Sequence, residues 1–184
     1  MAENATYDVV LLVEQTLSDE DARQVTDLHA ELRDEGEQVG YHVLMPVEDA
    51  AARVEAALGS LAAGEALASP ALVMNEVDLA KVRQECLDRS KQALEATLTR
   101  LRAAGATVDG EVVHEHPIDA LGSSVEKYDG REVIILTRPH VVAEFFHVDW
   151  TSRARRKLGV PVLHLLEHET LDEQAGGGEG VTGV

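Results

Sequence analysis

The chain has 184 residues, an apolar fraction of 45% and a formal net charge of −18. That length supports one sizeable core rather than two, and no run approaches the ~18 apolar residues that a membrane span needs. The acidity disfavours nucleic acid and anionic membranes, whose partners cluster their basic residues.

Tyr7 to Val13 (YDVVLLV) is a continuous β-rich apolar run, the pattern of a strand covered on both faces. Ser18, followed by Asp19, Glu20 and Asp21, reads as an N-cap with acid in the first turn of a helix. Ala22, Val25, Leu28 and Leu32 then recur at helical spacing, and Gly36 is the stop. Gly40 to Val47 (GYHVLMPV) predicts a second strand. Glu48 to Asn75 is alanine-rich, is broken at Ser69-Pro70 and holds too few large apolar residues for a core of its own. It reads as an insertion. Glu76 to Ala104 predicts a long helix with Val77, Ala80, Leu87, Leu94, Leu98 and Leu101 on one side, closed by Gly105.

Thr107 to His114 predicts a third strand. Pro117 then opens a helix that turns Ile118, Leu121, Val125 and Tyr128 inward. Glu132 to Leu136 (EVIIL) is the fourth strand, a helix around Val148 to Leu158 ends at Gly159, and Val160 to Leu166 is the fifth strand. The domain thus spans 1–170, and the Gly-rich remainder, 171–184, has almost no side chains to bury and predicts a disordered tail. Strands alternating with helices imply a parallel sheet covered on both faces. Ligands of such sheets sit at the carboxyl ends of the strands, where the strand order reverses. Glu14 to Thr16 end the first strand, and Thr137 to His140 end the fourth.

Five features recur in one order: a first strand ending in a carboxylate, a second strand reading YHVLMPV, a long amphipathic helix, a His116-Pro117 turn opening the next helix, and a closing RRKLGVPVLHL over 155–165. With them the chain resembles the universal stress protein family over Tyr7 to Glu167. The resemblance implies an α/β fold of the three-layer Rossmann-like, adenine nucleotide alpha hydrolase-like type, with a five-stranded parallel sheet in the order 3-2-1-4-5. It also implies a homodimer, formed through the edge strand Val160 to Leu166.

ATP-binding members of that family carry Gly-x2-Gly-x9-Gly-Ser/Thr after the fourth strand. Here that register falls on Thr137, His140, Trp150 and Thr151, so only the closing hydroxyl residue matches. Glycine allows phosphate oxygens close to backbone N–H groups, and Pro139 removes one such donor. The family's adenine-contacting aspartate corresponds to Glu14. The ligand-binding candidates are therefore Glu14, Thr16, Val43, Thr137, Arg138, His140, Trp150, Thr151 and Ser152. Arg138 and His140 beside Thr151 and Ser152 would suit a small anion, the Trp150 indole would fill much of the space of a triphosphate, and Phe145, Phe146 and Trp150 would plug the crevice or, in the sharper reading, line a pocket for a planar or apolar ligand. The reading is a binding or regulatory protein without cofactor; the alternative is a protein that binds ATP or AMP with weak hydrolase or transferase activity.

Other groupings carry less. His114-Glu115-His116 puts two imidazoles on one side if the strand continues, yet the third strand lies too far from His140 and His147 for a shared ion, and no metal site is read. The run RARRK (153–157) reads as a solvated face matching a helix C-terminus, with docking of an unknown acidic protein partner as the lesser reading. No Gly-x-Ser-x-Gly elbow occurs and Cys86, the single cysteine, falls in mid-helix, so no enzyme is read. The N-terminus shows neither a basic nor a long apolar segment, which with the lone cysteine predicts a cytoplasmic protein.

Overall fold

The computed structural model describes residues 6–47, 76–137 and 155–166. The insertion at 48–75, the loop at 138–154 and the tail read from the sequence lie outside the described residues. Five strands form one parallel sheet: β1 (Tyr7–Val13), β2 (Val39–Pro46), β3 (Thr107–Val113), β4 (Glu132–Thr137) and β5 (Val162–Leu166). Their order is β3-β2-β1-β4-β5, as expected. The chain runs outward from β1 to β3 and then crosses to β4, so the order reverses between β1 and β4.

Side chains alternate across a strand, and each face of the sheet has gathered its own core. Val9, Leu11, Val13, Tyr41, Val43, Met45, Ile134 and Leu136 point to one face. There they meet Ala22 and Val25 of α1 (Asp19–Asp27) and Leu94, Leu98 and Leu101 of α3 (Glu76–Ala103). Val10, Leu12, Leu44, Val133 and Ile135 point to the other and meet Ala120 and Leu121 of α4 (Pro117–Tyr128), together with Leu158. The result is the three-layer α/β architecture, with β1 and β4 apolar on both faces. Among the described residues no helix is long and apolar enough to cross a membrane.

Three details differ from the expectation. The single helix predicted from Ser18 to Gly36 is two, because Leu28 and His29 interrupt it before α2 (Ala30–Asp34). His29 turns into the protein to meet Tyr41 and Glu132, and the helical backbone gives way there. The inward stripe of α3 is not purely apolar: Ala80 is exposed, whereas Cys86, Ser90 and Thr97 are buried. The third strand stops at Val113, so His114 and His116 do not share a strand face. His116 instead caps α4, its side chain accepting from the Ile118 N–H.

Gly36 does end α2, with φ of +92°, a conformation that an L side chain rarely adopts. Gly110 has a packing role. A Cβ there would lie 2.7 Å from the Val43 carbonyl oxygen and 3.0 Å from Leu94 Cδ1, so glycine is what lets α3 press against β3.

Candidate functional site

The strand order reverses between β1 and β4, and in parallel sheets the carboxyl ends of the strands at such a point are where ligands sit. The register that pairs Val13 with Leu136 brings Glu14 and Thr137 next in line, one on each side. Glu14, Gln15 and Thr16 are half-buried, and Leu17 beyond them is fully buried.

This rim is held from α3. The Leu17 N–H donates to Thr97 Oγ1 at 3.2 Å, and Arg100 donates to the Leu17 carbonyl while its Nε sits 3.4 Å from Asp19. Two turns earlier on the same helix, Ser90 Oγ donates to the Pro46 carbonyl at 3.4 Å, fixing the end of β2. Helical spacing puts Ser90 and Thr97 on the stripe that faces the sheet, and a hydroxyl there satisfies loop backbone that would otherwise be buried unpaired. These positioning hydroxyls were hidden in the sequence among the apolar residues of the stripe.

The helix α1 starts at this rim. Its N-terminus would be a natural anion site, since its first N–H groups lack helical partners. Here a capping box uses one of them. Ser18 Oγ accepts from the Asp21 N–H at 3.0 Å, and the Asp21 carboxylate accepts from the Ser18 N–H at 3.1 Å and the Ser18 hydroxyl at 2.6 Å. Asp19 and Glu20 stand exposed in the same turn. A phosphate approaching α1 therefore meets the negative charge of Asp19, Glu20 and Asp21.

Thr137 occupies the first position of the glycine register. It is 3% exposed, and its Oγ1 lies 2.8 Å from His164 Nε2 on the neighbouring β5. Burial pushes the His164 imidazole below the usual histidine range, which favours the neutral ring. The Thr137 side chain thus engages β5 across the strand pair.

Of the other sequence candidates, Glu14 and Thr16 lie on the rim. Val43 lies in mid-strand, fully buried in the core beneath α3. Arg138, His140, Trp150, Thr151 and Ser152, with Phe145 and Phe146, lie outside the described residues. Within the basic run, Arg155 donates to the Val162 carbonyl at 3.3 Å and Lys157 pairs with Asp119 of α4. Among the described residues no group of three or more His, Cys, Asp or Glu is placed to hold a metal ion.

Two polar clusters that the sequence did not announce stand at the opposite, amino end of the sheet. His42 on β2 has Nε2 2.8 Å from Asp8 of β1 and Nδ1 2.7 Å from Asp109 of β3, while Tyr128 stacks on its ring at 3.6 Å. The ring is thus bracketed by a carboxylate on each nitrogen, one from each neighbouring strand. Gly40 makes room for this: a Cβ there would lie 2.9 Å from the same Asp8 oxygen. The second cluster joins His29 to Tyr41 at 2.9 Å and to Glu132 at 2.7 Å, with Tyr7 donating to Glu132 at 3.3 Å. Burial, joined by the nearby Glu132 carboxylate, raises the Tyr7 phenol; burial, offset in part by Arg33, pushes the Tyr41 phenol up to about 12. The signal for His29 was its place at helical spacing with Ala22, Val25 and Leu32. Its partners needed the strand register, which the sequence does not supply.

No family model matches the chain, and no curated protein matches it. Solved structures do. The hypothetical protein MJ0577, studied as a test case of structural genomics, is 12% identical with a TM-score of 0.57, covering 90% of this chain and 99% of its own. UspA, a universal stress protein from Lactobacillus plantarum, is 16% identical with a TM-score of 0.52, covering 88% and 99%. A universal stress protein from Archaeoglobus fulgidus, in complex with dAMP, is 15% identical with a TM-score of 0.43, covering 86% and 97%. At these identities the likeness is one of fold: the chain has the architecture of the universal stress proteins over nearly the whole of those molecules.

Proposed function

We propose that, on this universal-stress-protein fold, the chain acts as a binding or regulatory protein of the cytoplasm whose crevice is not made for a nucleoside triphosphate. One observation carries this reading. Where phosphate binding calls for bare backbone, Thr137 presents a buried side chain hydrogen-bonded to His164. The capping box of Ser18 and Asp21, which uses the Asp21 N–H internally, and the acids Asp19 and Glu20 support it from the other side of the crevice. In the sequence, His140 and Trp150 stand at the other two glycine positions, and Pro139 between Thr137 and His140 lacks an N–H. Glu14 and Thr16 remain the rim residues that a small ligand would touch, with Arg138, Thr151 and Ser152 as the candidate anion contacts of the loop.

The chain pairs with a second copy through β5, in this reading. β5 is an edge of the sheet, and its Val162 and Leu165 are buried while Leu163 and Leu166 are half-exposed. An apolar edge strand of this kind needs covering. Light scattering should return twice the chain mass at micromolar concentration; a monomer would remove this part of the reading.

Thermal unfolding with nucleotide tests the main claim. A ligand at 100 times its Kd stabilises by about 2.7 kcal/mol, which is a plain rise in Tm. Millimolar ATP or AMP should leave the Tm unchanged. A saturable rise with either would overturn the proposal and favour a nucleotide-binding protein.

A further inference from the structure

The His29 cluster lies beyond the proposed function, at the other end of the sheet. His29 is 4% exposed and Tyr41 1%, and the His29 ring packs against Tyr7 and edge-on against Tyr41, with centroids 5.8 and 5.5 Å away. Four elements meet here: β1 through Tyr7, β2 through Tyr41, β4 through Glu132, and the α1–α2 junction through His29.

The break in the helix has a consequence for hydrogen bonding. In an unbroken helix the His29 N–H would donate to the Val25 carbonyl. It donates to the Thr26 carbonyl instead, at 3.2 Å, and the Val25 carbonyl lies 3.4 Å from the Tyr41 hydroxyl. Tyr41 therefore has two acceptors within reach, His29 Nδ1 at 2.9 Å and Val25 O at 3.4 Å, and one hydrogen to give.

Ionised Glu132 only accepts, so His29 Nε2 carries a hydrogen whichever state the ring is in. Nδ1 is the variable atom. In the neutral ring it is bare and accepts the Tyr41 O–H. In the protonated ring it donates to the Tyr41 oxygen, and the Tyr41 hydrogen must point elsewhere; the Val25 carbonyl is the acceptor in place.

We propose that this cluster is a proton-responsive latch: uptake of one proton at His29 Nδ1 turns the Tyr41 hydroxyl from His29 to the Val25 carbonyl and ties the last turn of α1 to β2. The proton comes from solvent, one N–H bond forms, and no hydrogen bond to the ring is lost. Burial keeps the Tyr41 proton on its oxygen up to a pH of about 12, so the phenol is a donor throughout the range in which histidines change charge. The other charged groups facing the cluster are Arg33 of α2 and Asp27 of α1, both near the Tyr41 hydroxyl, and Arg131 before β4, near Tyr7. The same helix α1 begins at the crevice, with Ser18 as its cap.

The test is an NMR titration of the full chain, with labelled histidine nitrogens and a labelled Val25 carbonyl, from about pH 8 to about pH 5. The latch requires His29 Nδ1 to pass from the bare to the protonated form and the Val25 carbonyl signal to move with the same midpoint. In Tyr41→Phe, which keeps the ring, His29 should still protonate while the Val25 movement disappears. A silent Nδ1, a Val25 carbonyl that stays put or moves with a different midpoint, or a Val25 response that survives Tyr41→Phe would each overturn the proposal. Should Tyr41→Phe not fold, the comparison of midpoints in the unaltered chain still decides.

Discussion

Replacing Thr97 by Val isolates the contact that positions the crevice rim. Thr97 is fully buried on α3, and its Oγ1 is the acceptor for the Leu17 N–H at 3.2 Å. Valine has nearly the same shape and the same branching at Cβ, so packing and helix propensity change little. What is lost is an acceptor, and a buried backbone N–H left unpaired costs about 1–3 kcal/mol. For a chain of this size each kcal/mol lowers the Tm by about 2–4 °C, so Thr97→Val should melt roughly 2–12 °C lower. Thr97→Ser keeps the hydroxyl and removes one methyl, a change of about 0.8 kcal/mol. Differential scanning calorimetry on the three proteins, with amide hydrogen exchange at Leu17, separates the two effects. The Leu17 amide should lose protection in Thr97→Val and keep it in Thr97→Ser. If Thr97→Val melts with the unaltered protein and Leu17 stays protected, the rim is not held in this way.

Three further perturbations read other parts of the structure. Gly110→Ala places a Cβ 2.7 Å from the Val43 carbonyl oxygen of β2 and 3.0 Å from Leu94 Cδ1 of α3, and overpacking of this kind costs about 1–3 kcal/mol; equal or greater stability in urea denaturation would refute the close packing of β2 and α3 around Gly110. The Tyr41 phenol, pushed up to about 12, keeps its proton where an unfolded tyrosine has lost its own. Stability should therefore fall as pH rises above the ordinary value of 10.0, and ultraviolet difference spectra at pH 11 should show Tyr41 still un-ionised. His164 has the opposite sense: its folded state resists a proton that the unfolded chain accepts, so stability should fall as pH drops below the ordinary value of 6.5. His164→Gln should flatten that part of the urea-denaturation profile, and an unchanged slope would remove His164 as its source.

The fold was legible because its signals are local and repeated. The run YDVVLLV is β1, the Ser18 cap and its acids start α1, and Pro117 opens α4 as the sequence predicts. The strand order followed from the family resemblance rather than from any local signal. The limits were equally physical. His29 sits on the inward stripe of the first helix, but nothing local says that it breaks that helix, because its partners Tyr41 and Glu132 are 12 and 103 residues away. The same holds for His42, whose carboxylates come from β1 and β3 and are set beside it only by the sheet register. At the crevice the sequence identified Glu14, Thr16 and Thr137 as rim residues, and the ends of β1 and β4 carry them. It did not reveal that Thr97 and Ser90 hold the rim, since an inward hydroxyl on an apolar helix face looks like a tolerated exception. Nor did it reveal that Thr137 bonds sideways to His164 on β5.

The chain has one tryptophan, Trp150, which stands in the sequence at the third glycine position of the phosphate motif, so its emission is the natural reporter for nucleotide. Titrating ATP to millimolar concentration while following its fluorescence asks the central question directly. A crevice lacking a phosphate cradle predicts only the linear attenuation caused by absorbing nucleotide. A hyperbolic, saturating change in Trp150 emission beyond that attenuation would contradict it.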